Sequence, residues 1–304
     1  MKTKTSKNSN FSKARVTKND EFYTQLTDIE KELKSYKSHF RGKVVYLDCC
    51  NPEWSNFWQF FKMNFAHYEL KGLISTHYNQ GAPTYGLETS DGINFERIEL
   101  QGGGDFRSAE CVEQLLRADI VVCNPPFSLF REYVAQKIQY GKKFLIIGNN
   151  GSVIYKEIFK LIKDNKLWLG RTWPKEFTRP DGTTQKFGNI CWFTNMGHKR
   201  RYEDMILYRS YYENIAMYPT YNNYNVINVD KICDIPGDYF EPMGVPITFV
   251  NTYNPKQFEI LGIANNARYI DFELKAIIGE RKVYDRIIIR RKVAEKSFEM
   301  FENN

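Results

Sequence analysis

Four consecutive residues, Asn124-Pro125-Pro126-Phe127, carry the most specific chemistry legible in the chain. Proline locks its backbone torsion and has no N–H, so two in a row fix a turn and remove two donors that would compete for nearby carbonyls. The side-chain oxygen of Asn124 and the carbonyl of Pro125 can then accept the two hydrogens of an exocyclic amine. Drawing both hydrogens into acceptors releases the nitrogen lone pair from ring conjugation and turns it toward an electrophilic methyl, a case of transition-state stabilisation by preorganised dipoles. The ring of Phe127 is suited to stack on a planar base brought to that point, and a base leaves a duplex to do so at roughly a few kcal/mol. As a bare tetrapeptide the same residues also fit an ordinary turn. The flanking elements decide between the two.

Residues 118–123, directly before the motif, read as a short apolar strand, and residues 128–140, directly after it, as a helix. The same alternation runs along the first half of the chain. Ile29, Leu33, Tyr36 and Phe40 recur at spacings of three and four, which predicts one buried stripe of a helix over 27–40. Strands are predicted at 43–48, 72–76 and 143–148, and helices at 54–65, 109–116 and 155–165. Strands alternating with helices imply an α/β fold with a mostly parallel sheet covered on both faces. Ligands of such sheets sit beyond the carboxyl ends of the strands, so the residues just after Leu47, Thr76 and Cys123 are the first candidates. Past residue 165 the texture becomes loop-rich and basic, with Trp and Tyr interleaved with Arg and Lys. Asn222, Asn223, Asn225 and Asn228 there offer base-edge donors and acceptors, or line an exposed loop. Residues 286–292 read as a strand ending in a basic cluster.

The chain resembles the EcoRI-type family of adenine-specific DNA methyltransferases. The resemblance is carried by Asn19-Asp20-Glu21-Phe22-Tyr23-Thr24-Gln25, Ser55-Asn56-Phe57, Gly104-Asp105-Phe106-Arg107-Ser108, the run from Asp119 through Asn124-Pro125-Pro126-Phe127 to Phe130, Lys143-Phe144-Leu145-Ile146-Ile147 and Met243-Gly244-Val245-Pro246-Ile247-Thr248-Phe249, in the family's order. It implies a doubly wound, mostly parallel methyltransferase sheet followed by a loop-rich target-recognition region. The expected layout is a basic flexible arm over 1–18, a catalytic domain over 19–200 and a recognition region over 201–304, with recognition features starting as early as 170. The implied activity is transfer of a methyl group from S-adenosylmethionine to N6 of an adenine flipped out of double-stranded DNA, with Asn124, Pro125, Pro126 and Phe127 as the catalytic residues. Phe22, Tyr23 and Thr24 would hold the methionine end of the cofactor, Asp48 and Pro52 would border it, and Asp105 and Phe106 would flank its adenine. Asp48, at the carboxyl end of the first strand, would pair with the methionine ammonium or else cap a helix N-terminus, and Asp105 otherwise fits a turn after Gly102-Gly103-Gly104. The resemblance further implies a monomer, and a cognate restriction endonuclease acting on the same site as partner. The segment Asp48-Cys49-Cys50-Asn51-Pro52 departs from the family's usual Asn-Cys-Asp-Asp-Pro, and Ser75-Thr76-His77-Tyr78 follows the second strand where an acidic residue normally takes the ribose hydroxyls.

The bulk properties agree without deciding the matter. The 304 residues carry 43 Lys plus Arg against 36 Asp plus Glu, a net charge of +7 that suits a polyanionic partner. No apolar leader and no long apolar run occur, so a cytoplasmic protein away from membranes is expected. The six cysteines show no CxxC pair and no His/Cys cluster at ligand spacing, so free thiols and no metal are expected. Asn-Pro-Pro-Phe also resembles the centre of enzymes that methylate cytosine N4, guanine N2 of ribosomal RNA, or protein glutamine, all of which hold an amine or amide in the same way. A non-catalytic DNA-binding module on the same fold is the alternative from a different class.

Overall fold

A computed structural model describes residues 23–79, 83–178, 182–264 and 275–293, which form two compact units. The first comprises the chain to Val153 together with Leu167–His198; the second comprises Ile154–Lys166 and the chain from Lys199 onward. The basic arm over 1–18 and Phe22 lie outside the described residues.

The first unit is built on runs of apolar residues that are buried on both faces, as parallel strands covered by helices must be. These are β2 (Val44–Leu47), β3 (Gly72–Thr76), β6 (Ile120–Cys123) and β7 (Lys143–Asn149), which follow the short β1 (Tyr23–Thr24) in the chain. They pair in parallel in the order β3-β2-β6-β7, with Tyr46 opposite both Ile74 and Val121 and Cys123 opposite Ile146. Antiparallel strands extend both edges: β4 (Thr84–Thr89) and β5 (Glu96–Leu100) beyond β3, and β11 (Ile190–Thr194) and β8 (Trp168–Leu169) beyond β7. Six of the eight strands thus run in one sense, and the sheet is mixed but mostly parallel, as the strand–helix alternation predicts. The β4–β5 hairpin was not among the predicted elements, because the charged run of β5 alternates too weakly to stand out. A separate three-stranded sheet pairs β1 with β9 (Glu176–Thr178) and β9 with β10 (Thr184–Lys186).

Helices α1 (Leu26–Leu33), α2 (Asn56–Met63), α3 (Ala109–Arg117) and α4 (Phe130–Gln139) accompany these strands. The predicted stripe of Ile29, Leu33, Tyr36 and Phe40 is fully buried, although the helix breaks into a 3-10 turn at Lys34–Tyr36 before a last short turn. Ser108 starts α3 by accepting the amide of Cys111 at 3.3 Å, which satisfies one of the amides that a helix start leaves open. Between β6 and α4 the motif residues form the link, with a 3-10 turn at Phe127–Leu129 leading into the helix.

The second unit holds α5 (Lys156–Lys163) and a four-stranded sheet of order β12-β13-β17-β14, with β12 (Ile227–Asn228), β13 (Met243–Pro246), β14 (Phe258–Ala264) and β17 (Arg286–Arg291). A hairpin of β15 (Ile277–Ile278) and β16 (Arg281–Lys282) lies beside it in the chain. Ile287, Ile288 and Ile289 are buried at the centre of that sheet, which accounts for the apolar part of the predicted strand. No helix among the described residues is long and apolar enough to cross a membrane.

Candidate active site

Chain order and strand order diverge at one place in the parallel sheet. From β2 the chain crosses to β3 on one side, whereas from β6 it crosses to β7 on the other. A doubly wound sheet opens a crevice at that switch point, beyond the carboxyl ends of the two strands. Asp48 follows β2 and Asn124 follows β6, so two of the residues singled out in the sequence stand on either side of that crevice.

The motif turn is shaped as its composition requires. Pro125 is buried, while Asn124, Pro126 and Phe127 are half-buried at the rim. The carbonyl of Pro126 accepts the amide of Leu129 at 3.0 Å, closing the turn and taking that carbonyl out of use.

Asp48 is engaged by α4. Lys137 approaches one of its carboxylate oxygens at 2.6 Å, and the hydroxyl of Tyr133 donates to the other. Both members of the ion pair are almost completely buried, at 1% side-chain exposure each. The cation that Asp48 meets among the described residues is Lys137. Burial and the neighbouring Asp48 charge hold the Tyr133 phenol well above its usual range, so it remains a donor. Lys137 also donates to the Gln136 side chain at 2.6 Å and lies over the Tyr133 ring, 4.1 Å from its centroid.

Phe106 joins this cluster from the loop between β5 and α3. Its ring meets Tyr133 edge-on at 5.1 Å, and its carbonyl accepts from Gln136 at 2.9 Å. Asp105 is partly exposed and bound by its own neighbour: the Arg107 guanidinium reaches both carboxylate oxygens and extends to Glu132 on α4 at 2.9 Å. The hydrogen bonds from Arg107 hold the Asp105 carboxyl below the usual range. Gly104 has φ +73°, and a Cβ there would overlap the carbonyl oxygen of His77, so this close approach of two loops requires glycine.

The remaining expected residues that are described lie on other elements of the same unit. Thr24 is buried in β1, opposite Phe177 of β9, and its carbonyl accepts from Asn56 at the start of α2 at 2.7 Å. Tyr23 pairs through its backbone with Thr178. Pro52 is buried in the loop that leads from Asp48 to α2. The structure therefore gathers Asp48, Phe106 and Asp105 around α4, puts the motif turn immediately before that helix, and brings Thr24 to α2. Tyr133 and Lys137, which organise this centre, were not singled out in the sequence.

In the second unit, two of the four asparagines serve the fold. Asn228 is buried and links Tyr221, Asp230 and Arg286, and Asn222 exchanges two hydrogen bonds with Gly279. Asn223 and Asn225 stay exposed. In the basic cluster at the end of β17, Arg290 pairs with Glu259 at 2.9 Å and Arg291 covers Phe240.

A mostly parallel α/β sheet with Asn-Pro-Pro-Phe at the carboxyl end of the strand beside its switch point defines a methyltransferase. The chain belongs to the family described as adenine-specific methyltransferase EcoRI, whose model matches residues 10–299. It is 41% identical to the type II methyltransferase M.EcoRI of Escherichia coli, over 93% of this chain and 97% of that protein. It is 37% identical to the type II methyltransferase M.MpnI of Mycoplasma pneumoniae, over 93% and 98% respectively. A third relative, the type II methyltransferase M.MgeORF184P of Mycoplasma genitalium, is also 37% identical, over 93% of this chain and 98% of its own length. No solved structure gives a significant match.

Proposed function

We propose that this adenine-specific methyltransferase acts on double-stranded DNA, moving a methyl group from S-adenosylmethionine to N6 of an adenine extruded from the duplex at one short recognition sequence. The observation that carries the reading is the position of Asn124-Pro125-Pro126-Phe127 at the switch point, with one proline carbonyl closed off by Leu129. In this mechanism Asn124 Oδ1 and the Pro125 carbonyl accept the two hydrogens of the adenine amine. The nitrogen lone pair then points away from the ring, and Phe127 holds the base by stacking. After the new N–C bond has formed the methylated amine gives up one of its protons to solvent, and no side chain bonds covalently to the base.

S-adenosylmethionine supplies an electrophilic methyl on a sulfonium. Its parts are proposed to meet Asp105 as an acceptor for the amine of its adenine, Phe106 as an apolar flank, and the Asp48–Pro52 loop at the methionine portion, with Phe22, Tyr23 and Thr24 assigned to that portion by the family resemblance. Asp48, held in place by Lys137 and Tyr133, is proposed to pair with the methionine ammonium. The compact-unit boundary at His198 supports a catalytic domain over 19–200 and a recognition region over 201–304, with the basic arm over 1–18 adding attraction for phosphate. The protein is proposed to work as a monomer in the cytoplasm, with a restriction endonuclease of the same specificity as its natural counterpart.

Calorimetric titration with S-adenosylmethionine, in parallel with a turnover assay, tests the assignment. Asn124→Ala is expected to bind the cofactor as the parent does while losing at least about 100-fold in methyl transfer, the scale seen when one preorganised polar group is removed from a transition state. Unchanged turnover would refute the role of Asn124, and absence of cofactor binding with and without DNA would refute the enzyme reading.

A further inference from the structure

The ends of β2 and β6 carry more sulfur than methyl transfer uses. The sulfurs of Cys49 and Cys123 and a carboxylate oxygen of Asp48 all lie within 4.8 Å of one another. Continuing the β2–β6 register from Tyr46 and Val121 places Asp48 opposite Cys123, so the strand pairing itself builds this cluster from distant parts of the chain. Local cysteine spacing could not reveal it. Cys123 is buried and Cys49 half-buried.

We propose that Cys49, Cys123 and Asp48 form a binding site for a thiophilic divalent cation such as zinc or cadmium. Two sulfurs and one carboxylate match the preferences of these ions, whereas magnesium and calcium require oxygen donors throughout. Zinc–sulfur bonds of about 2.3 Å give a tetrahedron with edges of about 3.8 Å, and ligand atoms already within 4.8 Å of one another are close to that spacing. Three protein ligands leave the fourth position to solvent.

The charges balance as well. Asp48 and Lys137 cancel before the ion arrives. The cation replaces the two thiol protons, which pass to solvent as each sulfur forms a bond to the metal, and no electron changes hands. The buried cluster therefore gains no net charge, which avoids the main cost of placing an ion there. Occupancy would tie Cys123, the residue before Asn124, to the loop that leads from β2. The expected result is loss of methyl transfer, a consequence that rests on the proposed function, while binding itself does not.

The test uses the full-length protein, first treated with chelator and reductant. Cadmium is expected to bind one ion per chain with the ultraviolet absorption of a cadmium–thiolate bond, and to protect Cys49 from iodoacetamide in peptide mass mapping. Magnesium should do neither. The exposed Cys233 provides the control: Cys233→Ala should keep the absorption, and Cys49→Ser should lose it. Should Cys49→Ser fail to fold, the protection map of the parent protein decides. No absorption, protection of Cys233 alone, or a full signal in folded Cys49→Ser would overturn the proposal, and each readout is independent of methyl transfer.

Discussion

Phe127 and Asp105 allow the site to be tested one side chain at a time. Phe127 begins the turn that leads into α4 and is half-buried, and it is proposed to stack on the extruded base. Base–aromatic stacking contributes about 1–3 kcal/mol. Phe127→Ala should therefore weaken capture of the extruded base by about 5- to 150-fold. The measurement is the fluorescence rise of 2-aminopurine at the target position, and a full rise in the variant would count against stacking. Asp105 is held ionised by Arg107, whose hydrogen bonds push its carboxyl below the usual range. With the folded value depressed, its contribution is fully present above the ordinary value of about 3.9 and is lost only as pH falls through the lower folded value. Arg107→Ala should raise the Asp105 titration toward that ordinary value, as followed by carboxyl NMR. An unmoved titration would show that Arg107 is not the cause.

Two helices show where sequence reading reaches its limit. The apolar stripe of α4 comprises Phe130, Tyr133, Val134 and Lys137, at helical spacings that put a lysine on the buried face. Its charge is compensated by Asp48 at 2.6 Å, a residue from another strand end. α1 follows the same pattern. Glu32 lies with Ile29, Leu33 and Tyr36 on the buried stripe, and it accepts from the amides of Arg171 and Thr172 at 2.7 and 2.6 Å. An ionisable residue on an apolar stripe was the legible signal; its partner was not, because tertiary pairing chooses it. The motif turn could be read because its chemistry is written in consecutive residues, and the parallel strands because burial on both faces demands unbroken apolar runs. The edge hairpin and the two structural asparagines depend on nonlocal packing. Breaking one side of a buried pair leaves an uncompensated charge, so Lys137→Met should destabilise the fold by about 3–5 kcal/mol in chemical denaturation. Adding Asp48→Asn should recover most of that loss. Equal stability of the single variant and the parent would show that the pair is not coupled in solution.

At the level of the whole molecule, the described residues divide into a sheet-based unit that holds the candidate site and a second unit with its own sheet. The net charge of +7 is suited to a polyanion, and charge alone would serve many partners. In the proposed function, specific activity comes from the motif turn acting on a base that the proposed recognition region selects. The most direct measurement is incubation of the purified full-length chain with tritiated S-adenosylmethionine and unmethylated genomic DNA, followed by nucleoside analysis and single-molecule sequencing. Label is expected in N6-methyladenine, confined to one short sequence and absent from Asn124→Ala. Label in N4-methylcytosine, or transfer to RNA with none to DNA, would contradict the proposed function.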